Sequence, residues 1–360
     1  MNTYSALGLM SGTSLDGLDI AAVEFTNANN NWNYRLKTTE TVTYPKSLLT
    51  RLQIAVDLSA EEHQILDVDF GKFIGECIYN FKTKHQIKVN FVCSHGHTSH
   101  HKPHQGVTKQ LGDAASIYKI CKIPVINNFR ALDVSLGGQG APLVPIGDQF
   151  LFAEYDFCLN LGGISNISYK QRGQRIAFDI GMANMPLNYL AGKFQKEYDK
   201  DGEIAFAGKV NTDLLALLNE LDYYAQNPPK SLGIEWFQSH FRPVLDAFDC
   251  SLEDKMTTVI EHNSYQIFKV ISEICKTKTG HKVLITGGGI KNPAFKSSLT
   301  KHLERCTEVI IPNKELVDYK EALIFAFMGV LRYRREQNVL ASVTGAKRNS
   351  SSGDLYGFNS

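Results

Sequence analysis

Residues 3–9, 19–25 and 33–44 carry apolar side chains in short β-type runs and read as an antiparallel meander. From residue 60 the spacing changes. Ile65, Leu66, Val68, Phe70, Phe73, Ile74, Ile78 and Phe81 recur every three or four positions, which predicts a helix over 60–85. A strand at 91–94, a helix at 112–121 and a strand at 125–127 follow. The pattern then restarts at 157–161 and 164–169, a second hairpin closed by Gly162-Gly163, a pair suited to a turn with positive φ. Helices at 185–198, 212–220 and 257–278, a strand at 282–286 and a helix from about 318 to 335 complete the chain. Each half opens on a hairpin and continues into interleaved helices and strands, which predicts an α/β fold.

The 360 residues suffice for two domains at about 150 residues each. The expected division is 1–130 with a C-terminal segment at about 336–360, against 131–335. No Pro-rich linker is present, so short hinges are expected between them. Lys and Arg number 38 against 37 Asp and Glu, which provides no basic footprint for nucleic acid. Seven scattered cysteines without a C-x-x-C pair argue against a disulfide framework and for a reduced compartment. With no leader-like N-terminus and no run near the roughly 18 apolar residues of a membrane span, the expectation is a cytoplasmic protein.

Several segments carry chemistry. Between the first two strands lies Ser11-Gly12-Thr13-Ser14-Leu15-Asp16-Gly17-Leu18-Asp19. Its glycines allow close backbone approach, and its N–H groups and hydroxyls suit a phosphate, although an ordinary hairpin turn has the same composition. Asp179, read at a strand end before Gly181, can accept a proton or cap the next helix. Gly287, Gly288 and Gly289 end a buried strand before a helix and fit a flat or charged ligand, but make neither a Walker A nor a Rossmann fingerprint. The loop Gly137-Gly138-Gln139-Gly140 reads equally as a hinge, a ligand contact or a plain connection.

Five histidines, at 95, 97, 100, 101 and 104, invite a zinc reading. The H-E-x-x-H pairing and the cysteine partners of common zinc sites are missing. A loop whose first histidine reaches an active cleft is preferred, and no metal-ligating residue is assigned.

In this order the phosphate hairpin, the acid-glycine segment and the strand ending in Gly-Gly-Gly resemble the actin-like ATPase and sugar kinase superfamily. The segment Gly8 to Gly17 resembles more closely the signature of anhydro-N-acetylmuramic acid kinases. Ser94-His95-Gly96, Asn128-Phe129-Arg130, Asn160-Leu161-Gly162-Gly163, Pro228-Pro229-Lys230-Ser231, Lys320-Glu321-Ala322 and Ser342-Val343-Thr344-Gly345-Ala346 follow in that family's order.

The resemblance implies two actin-like, ribonuclease H-like domains of mixed sheets flanked by helices around an interdomain cleft. It also implies a kinase using ATP with Mg²⁺ and water to open 1,6-anhydro-N-acetylmuramic acid, a peptidoglycan turnover product, as N-acetylmuramic acid 6-phosphate. Asp179 would be the base. Gly12 to Asp19, Gly162, Gly163 and Gly287 to Gly289 would hold ATP. Ser11, His95, His97, Arg130 and Glu321 would contact the sugar, with Arg130 on its lactyl carboxylate and Glu321 also suited to the first turn of a helix. The resemblance also suggests a homodimer.

Two departures from the family pattern stand out. Asn128 replaces an Asp, and Ile180-Gly181-Met182-Ala183-Asn184 replaces Thr-Gly-Pro-Gly-Asn. Another anhydrosugar acceptor, a non-catalytic nucleotide-binding protein on this fold and a zinc hydrolase on His95, His97 and His101 are the alternatives.

Overall fold

A computed structural model describes residues 2–12, 14–29, 31–275 and 280–358. Twelve strands are present among them: β1 (Asn2–Ser11), β2 (Leu18–Ala28), β3 (Asn31–Val42), β4 (Phe91–Lys102), β5 (Val107–Leu111), β6 (Val125–Asn127), β7 (Phe157–Leu161), β8 (Ile164–Gln171), β9 (Gln174–Met182), β10 (His281–Thr286), β11 (Thr307–Ile310) and β12 (Asp354–Tyr356). The chain divides into two compact units, 1–152 with 319–360, and 153–318.

The first unit holds a mixed sheet in the order β12-β6-β4-β1-β2-β3, with β5 added to the far half of β4. β1, β2 and β3 form the expected antiparallel meander, while β4 runs parallel to β1 and β6 parallel to β4. Ala6 to Leu9 are all fully buried because β1 is covered on both faces. Leu7 and Leu9 share a core with Phe70, Ile74 and Ile78 of the helix Ala60–His85. On the other face Gly8 lies against the backbone of Ala322, in the helix Lys314–Tyr333.

The helix Ala60–His85 matches its predicted span. The Ser59 hydroxyl accepts from Glu62 N–H while Glu62 accepts from Ser59 N–H, a reciprocal cap worth about 1 kcal/mol.

The second unit holds the sheet β11-β10-β7-β8-β9, parallel through the first three strands and antiparallel through the last three. Its core joins Leu159, Leu161, Ile285 and Phe178 to Val259, Ile267 and Ile271 of the helix Leu252–Cys275.

The α/β class and the mixed sheets with flanking helices follow the sequence reading, and several boundaries differ. The units do not divide at 130 and 336. Residues 131–152 are tied into the first unit, where Asp133 accepts from Gly140 N–H and from the Thr344 hydroxyl, and Asp148 pairs with Lys320 at 2.8 Å. Strands β5, β11 and β12 add to the predicted set, and the strand read before Gly181 is β9. The helix predicted over 257–278 begins at Leu252, and its last three predicted residues lie outside the described ones.

The histidine segment is strand rather than loop, since β4 continues to Lys102 by pairing with β5. Gly162 and Gly163 do not take positive φ. They still close the hairpin, Leu161 pairing with Ser165, and their carbonyls accept from Ala183, Asn184 and Met185 at 2.9–3.1 Å.

Candidate active site

In the first unit, β1 and β2 are paired out to Ser11 and Leu18, so Gly12 and residues 14–17 belong to the hairpin tip. Leu15 adopts φ of 56°, an uncommon conformation for an apolar residue, with its N–H on the Gly12 carbonyl at 3.2 Å. Gly17 has φ of 154°, and a Cβ there would lie 2.6 Å from Thr41 Cγ2. The Ser14 hydroxyl bonds Asp16 at 2.9 Å, and Thr41 donates to Asp19 at 2.6 Å. Leu18 belongs to the core, so its side chain takes no part in the tip. Thr13 lies outside the described residues.

Tyr44, which the sequence reading did not single out, ties the loop ends together. Its hydroxyl lies 2.8 Å from both Ser11 Oγ and the Gly17 carbonyl. Ser11 Oγ in turn sits 3.2 Å from Nδ1 of His97. Burial holds His97 below the usual histidine range, partly offset by a hydrogen bond to the Gly12 carbonyl.

Arg130 and His95 are directly bonded, Arg130 Nε donating to His95 Nε2 at 2.9 Å. Because Nε2 accepts, the ring proton resides on Nδ1, 2.8 Å from the Gly96 carbonyl. Burial, and then the Arg130 charge, keep His95 far below its ordinary pKa, so the ring is neutral. With both nitrogens occupied, His95 is no zinc ligand. Among the described residues no group of three His, Cys, Asp or Glu side chains converges on a metal position.

Arg130 also donates to the Gly140 carbonyl at 2.6 Å, so the guanidinium has only part of its fork free for a carboxylate. Its pKa is pushed down to about 10 by burial, against the pull of Glu321 and Asp133. Glu321 is raised by burial; Arg130 and Lys320 oppose the shift and Asp16 adds to it. Glu321 thus feels both Asp16 and Arg130, although the three come from a helix, the hairpin and the segment after β6. Glu321 is not in the first turn of that helix, which starts at Lys314, so the helix-dipole reading of it falls.

Asn128 does not face this cluster through its amide. Its Nδ2 donates to Asp354 of β12 at 2.7 Å. The departure from the family pattern at 128 is thereby matched by a carboxylate across the strand pair.

In the second unit, β7 and β10 are parallel neighbours with Asn160 beside Thr286, so their C-terminal ends lie together. That brings Gly162 and Gly163 close to Gly287, Gly288 and Gly289, the place in an α/β sheet where ligands bind. Gly287 has φ of 89°, and a Cβ on it would meet Asn160 Oδ1 at 2.7 Å. Asn184 joins the same region by donating to the Leu161 carbonyl at 3.2 Å.

Asp179 lies inside β9, opposite Asn166, and not at the strand's end. Gly181 is needed for close approach instead of a turn, since a Cβ there would sit 2.6 Å from the Tyr224 ring. The next helix has Ala183 at its N-cap, which removes the capping alternative for Asp179. Asp179 Oδ2 accepts from Leu232 N–H at 2.9 Å, while Oδ1 has no hydrogen bond among the described residues. Burial raises the carboxyl to about 6, with the Leu232 N–H opposing. A carboxylate with one free oxygen and a pKa near neutrality can act as a general base.

Anhydro-N-acetylmuramic acid kinases are described by a family model that matches residues 4–357. A protein of that name from Pasteurella multocida (strain Pm70) is 35% identical over 372 residues, covering 98% of this chain and 97% of that one. Another, from Francisella tularensis subsp. novicida (strain U112), is 32% identical over 380 residues, covering 96% and 97%. Among solved structures, component A of (R)-2-hydroxyglutaryl-CoA dehydratase from Acidaminococcus fermentans aligns at 12% identity over 90% of this chain and 96% of that one. Its TM-score is 0.44, a likeness too low to carry weight. The near-complete match in sequence, end to end, makes this chain a member of the anhydro-N-acetylmuramic acid kinase family.

Proposed function

We propose that this kinase opens 1,6-anhydro-N-acetylmuramic acid with water and transfers the γ-phosphoryl group of ATP to O6, releasing N-acetylmuramic acid 6-phosphate and ADP. The observation that carries the chemistry is the half-buried Asp179, with its elevated pKa and its unbonded Oδ1. Water attacks the anomeric carbon and gives its proton to Asp179, the C1–O6 bond breaks, and O6 takes the phosphoryl group. Glycosidic cleavage ordinarily needs a second carboxyl group to protonate the leaving oxygen. Here phosphorus captures that oxygen, so one carboxylate suffices.

The hairpin from Gly12 to Asp19 and the glycines at 162–163 and 287–289 are assigned to ATP. Ser11, His95, His97, Arg130 and Glu321 are assigned to the sugar. His95 offers no free nitrogen, so its part is to hold Arg130, whose remaining N–H groups face a carboxylate of the acceptor. Mg²⁺ is commonly held by one or two carboxylates together with phosphate oxygens, and Asp16 and Asp19 at the hairpin are the carboxylates that would hold it. The ion would offset phosphate charge during transfer. On the same reading the enzyme works in the cytoplasm, where its seven free cysteines stay reduced, and pairs as a homodimer.

Turnover in ¹⁸O-labelled water tests the reaction. The expected result is label on the C1 hydroxyl of the phosphorylated sugar and none in inorganic phosphate. Label in inorganic phosphate without a sugar product makes the protein an ATPase and overturns the assignment. A panel of anhydrosugars with ATP then fixes the acceptor.

A further inference from the structure

Strand β9 is the edge of its sheet, so one row of its backbone groups has no partner strand. At Asp179 that row is occupied by a single stretch of chain, residues 223–232. The N–H of Asp179 donates to the Lys230 carbonyl at 3.2 Å, and its carbonyl accepts from the Tyr223 hydroxyl at 2.7 Å. Lys230 Nζ donates back to the Tyr223 carbonyl at 3.1 Å and sits 4.4 Å over the Tyr223 ring. The three bonds close a circuit, Asp179 to Lys230 to Tyr223 to Asp179, and Leu232 N–H leaves the same stretch to hold Oδ2. A register shift on β9 beside Asp179, between the Ser165–Gly181 and Asn166–Asp179 pairs, re-aims the side chain there.

We propose that Tyr223 and Lys230 are positioning residues that lock the main chain of Asp179 and so aim its free carboxylate oxygen at the attacking water. The proposal rests on the reading of Asp179 as the base. Neither side chain bonds the carboxylate itself, so both act through residue 179's backbone and through the loop that delivers Leu232 N–H. Burial pushes the Tyr223 phenol up, so it stays protonated and remains a donor. Burial, and then the neighbouring charge of Lys269 on the helix Leu252–Cys275, lower Lys230. From β8 the residue opposite is the uncharged Asn166, so Tyr223 and Lys230 are the titratable groups in this circuit.

The test uses Tyr223→Phe, which removes only the hydroxyl, Lys230→Met, which keeps the aliphatic stem, and the double variant. Each is measured for kcat, KM for ATP, the kcat–pH profile and Tm. The expected result is a loss in kcat of roughly 10- to 100-fold with KM for ATP unchanged, because misplacing a reacting group by an ångström costs about that much. The acid limb of kcat moves to lower pH as the loosened loop admits water to Asp179. The double variant is expected to be no worse than the poorer single one, since both break one circuit. Unchanged kcat and pH limb in Tyr223→Phe, or losses that track Tm alone, overturn the positioning role. Asp179→Asn separates the two readings. If it stays active, the base assignment fails; if it is dead while Tyr223→Phe behaves as wild type, only the circuit fails.

Discussion

Arg130 and His95 form a one-way hydrogen bond, Nε–H to Nε2 at 2.9 Å, with the far side of the imidazole spent on the Gly96 carbonyl. The bond requires a neutral ring, and protonating His95 would set two cations against each other in a buried place. His97 and His101 are held below their ordinary pKa as well, chiefly by burial. A histidine with a depressed folded pKa adds stability that is complete above the unfolded value of 6.5 and is lost as pH falls below it.

Tm is therefore expected to fall as pH drops from 7 to 5, with His95 contributing at most about 1.4 kcal/mol per pH unit. Replacing His95 with Gln, which cannot titrate, should flatten that slope. An unchanged slope between wild type and His95→Gln would show that the ring is not held neutral.

The raised pKa of Asp179 sets the direction of both activity and stability. In the proposed role of base Asp179 is competent only when ionised, so kcat should fall on the acid side of about pH 6. Asp179→Asn should lower turnover by roughly 10²- to 10⁴-fold while ATP affinity is preserved. Because burial penalises the ionised form, this variant should also melt no lower than wild type at pH 8, where the native carboxylate carries its charge. Calorimetry of ATP binding and melting curves at pH 8 check both parts.

Asn128→Asp places a carboxylate against Asp354, where the Nδ2 donor now stands. The expected cost is about 1 kcal/mol, recovered by pairing the change with Asp354→Asn. Turnover of the anhydrosugar should be unaltered in both, because residue 128 is tied to β12. A changed acceptor preference in Asn128→Asp would instead place the residue in the sugar site.

Gly8→Ala is expected to abolish folding of the first unit. A methyl group there runs into the Ala322 carbonyl, and neither the central strand β1 nor a helix backbone can yield cheaply. A loss of about 3 kcal/mol or more is expected, seen as insoluble protein or a collapsed Tm. Gly181→Ala meets only the Tyr224 ring and should cost less.

Much of this protein was legible before any coordinates. The spacing from Ile65 to Phe81 gave the span of the helix Ala60–His85, while the Ser59–Glu62 cap at its start went unread. The glycine and serine hairpin and the strand ending before Gly287 followed from local composition, whereas Asp179 was singled out as the base through the family resemblance. Such features are local because helical and strand periods, caps and tight turns are settled within a few residues.

What the local pattern could not carry was partnership. The histidine segment shows no apolar alternation, so only its pairing with β5 reveals it as strand. Asn128 and Asp354 are 226 positions apart, and nothing in either neighbourhood announces the other. Tyr44, Tyr223 and Lys230 take their roles from hydrogen bonds that exist only after packing. The raised pKa of Asp179 is of the same kind. A carboxyl group has its chemistry from the sequence, but desolvation and a single donated N–H come from the chain that folds over it.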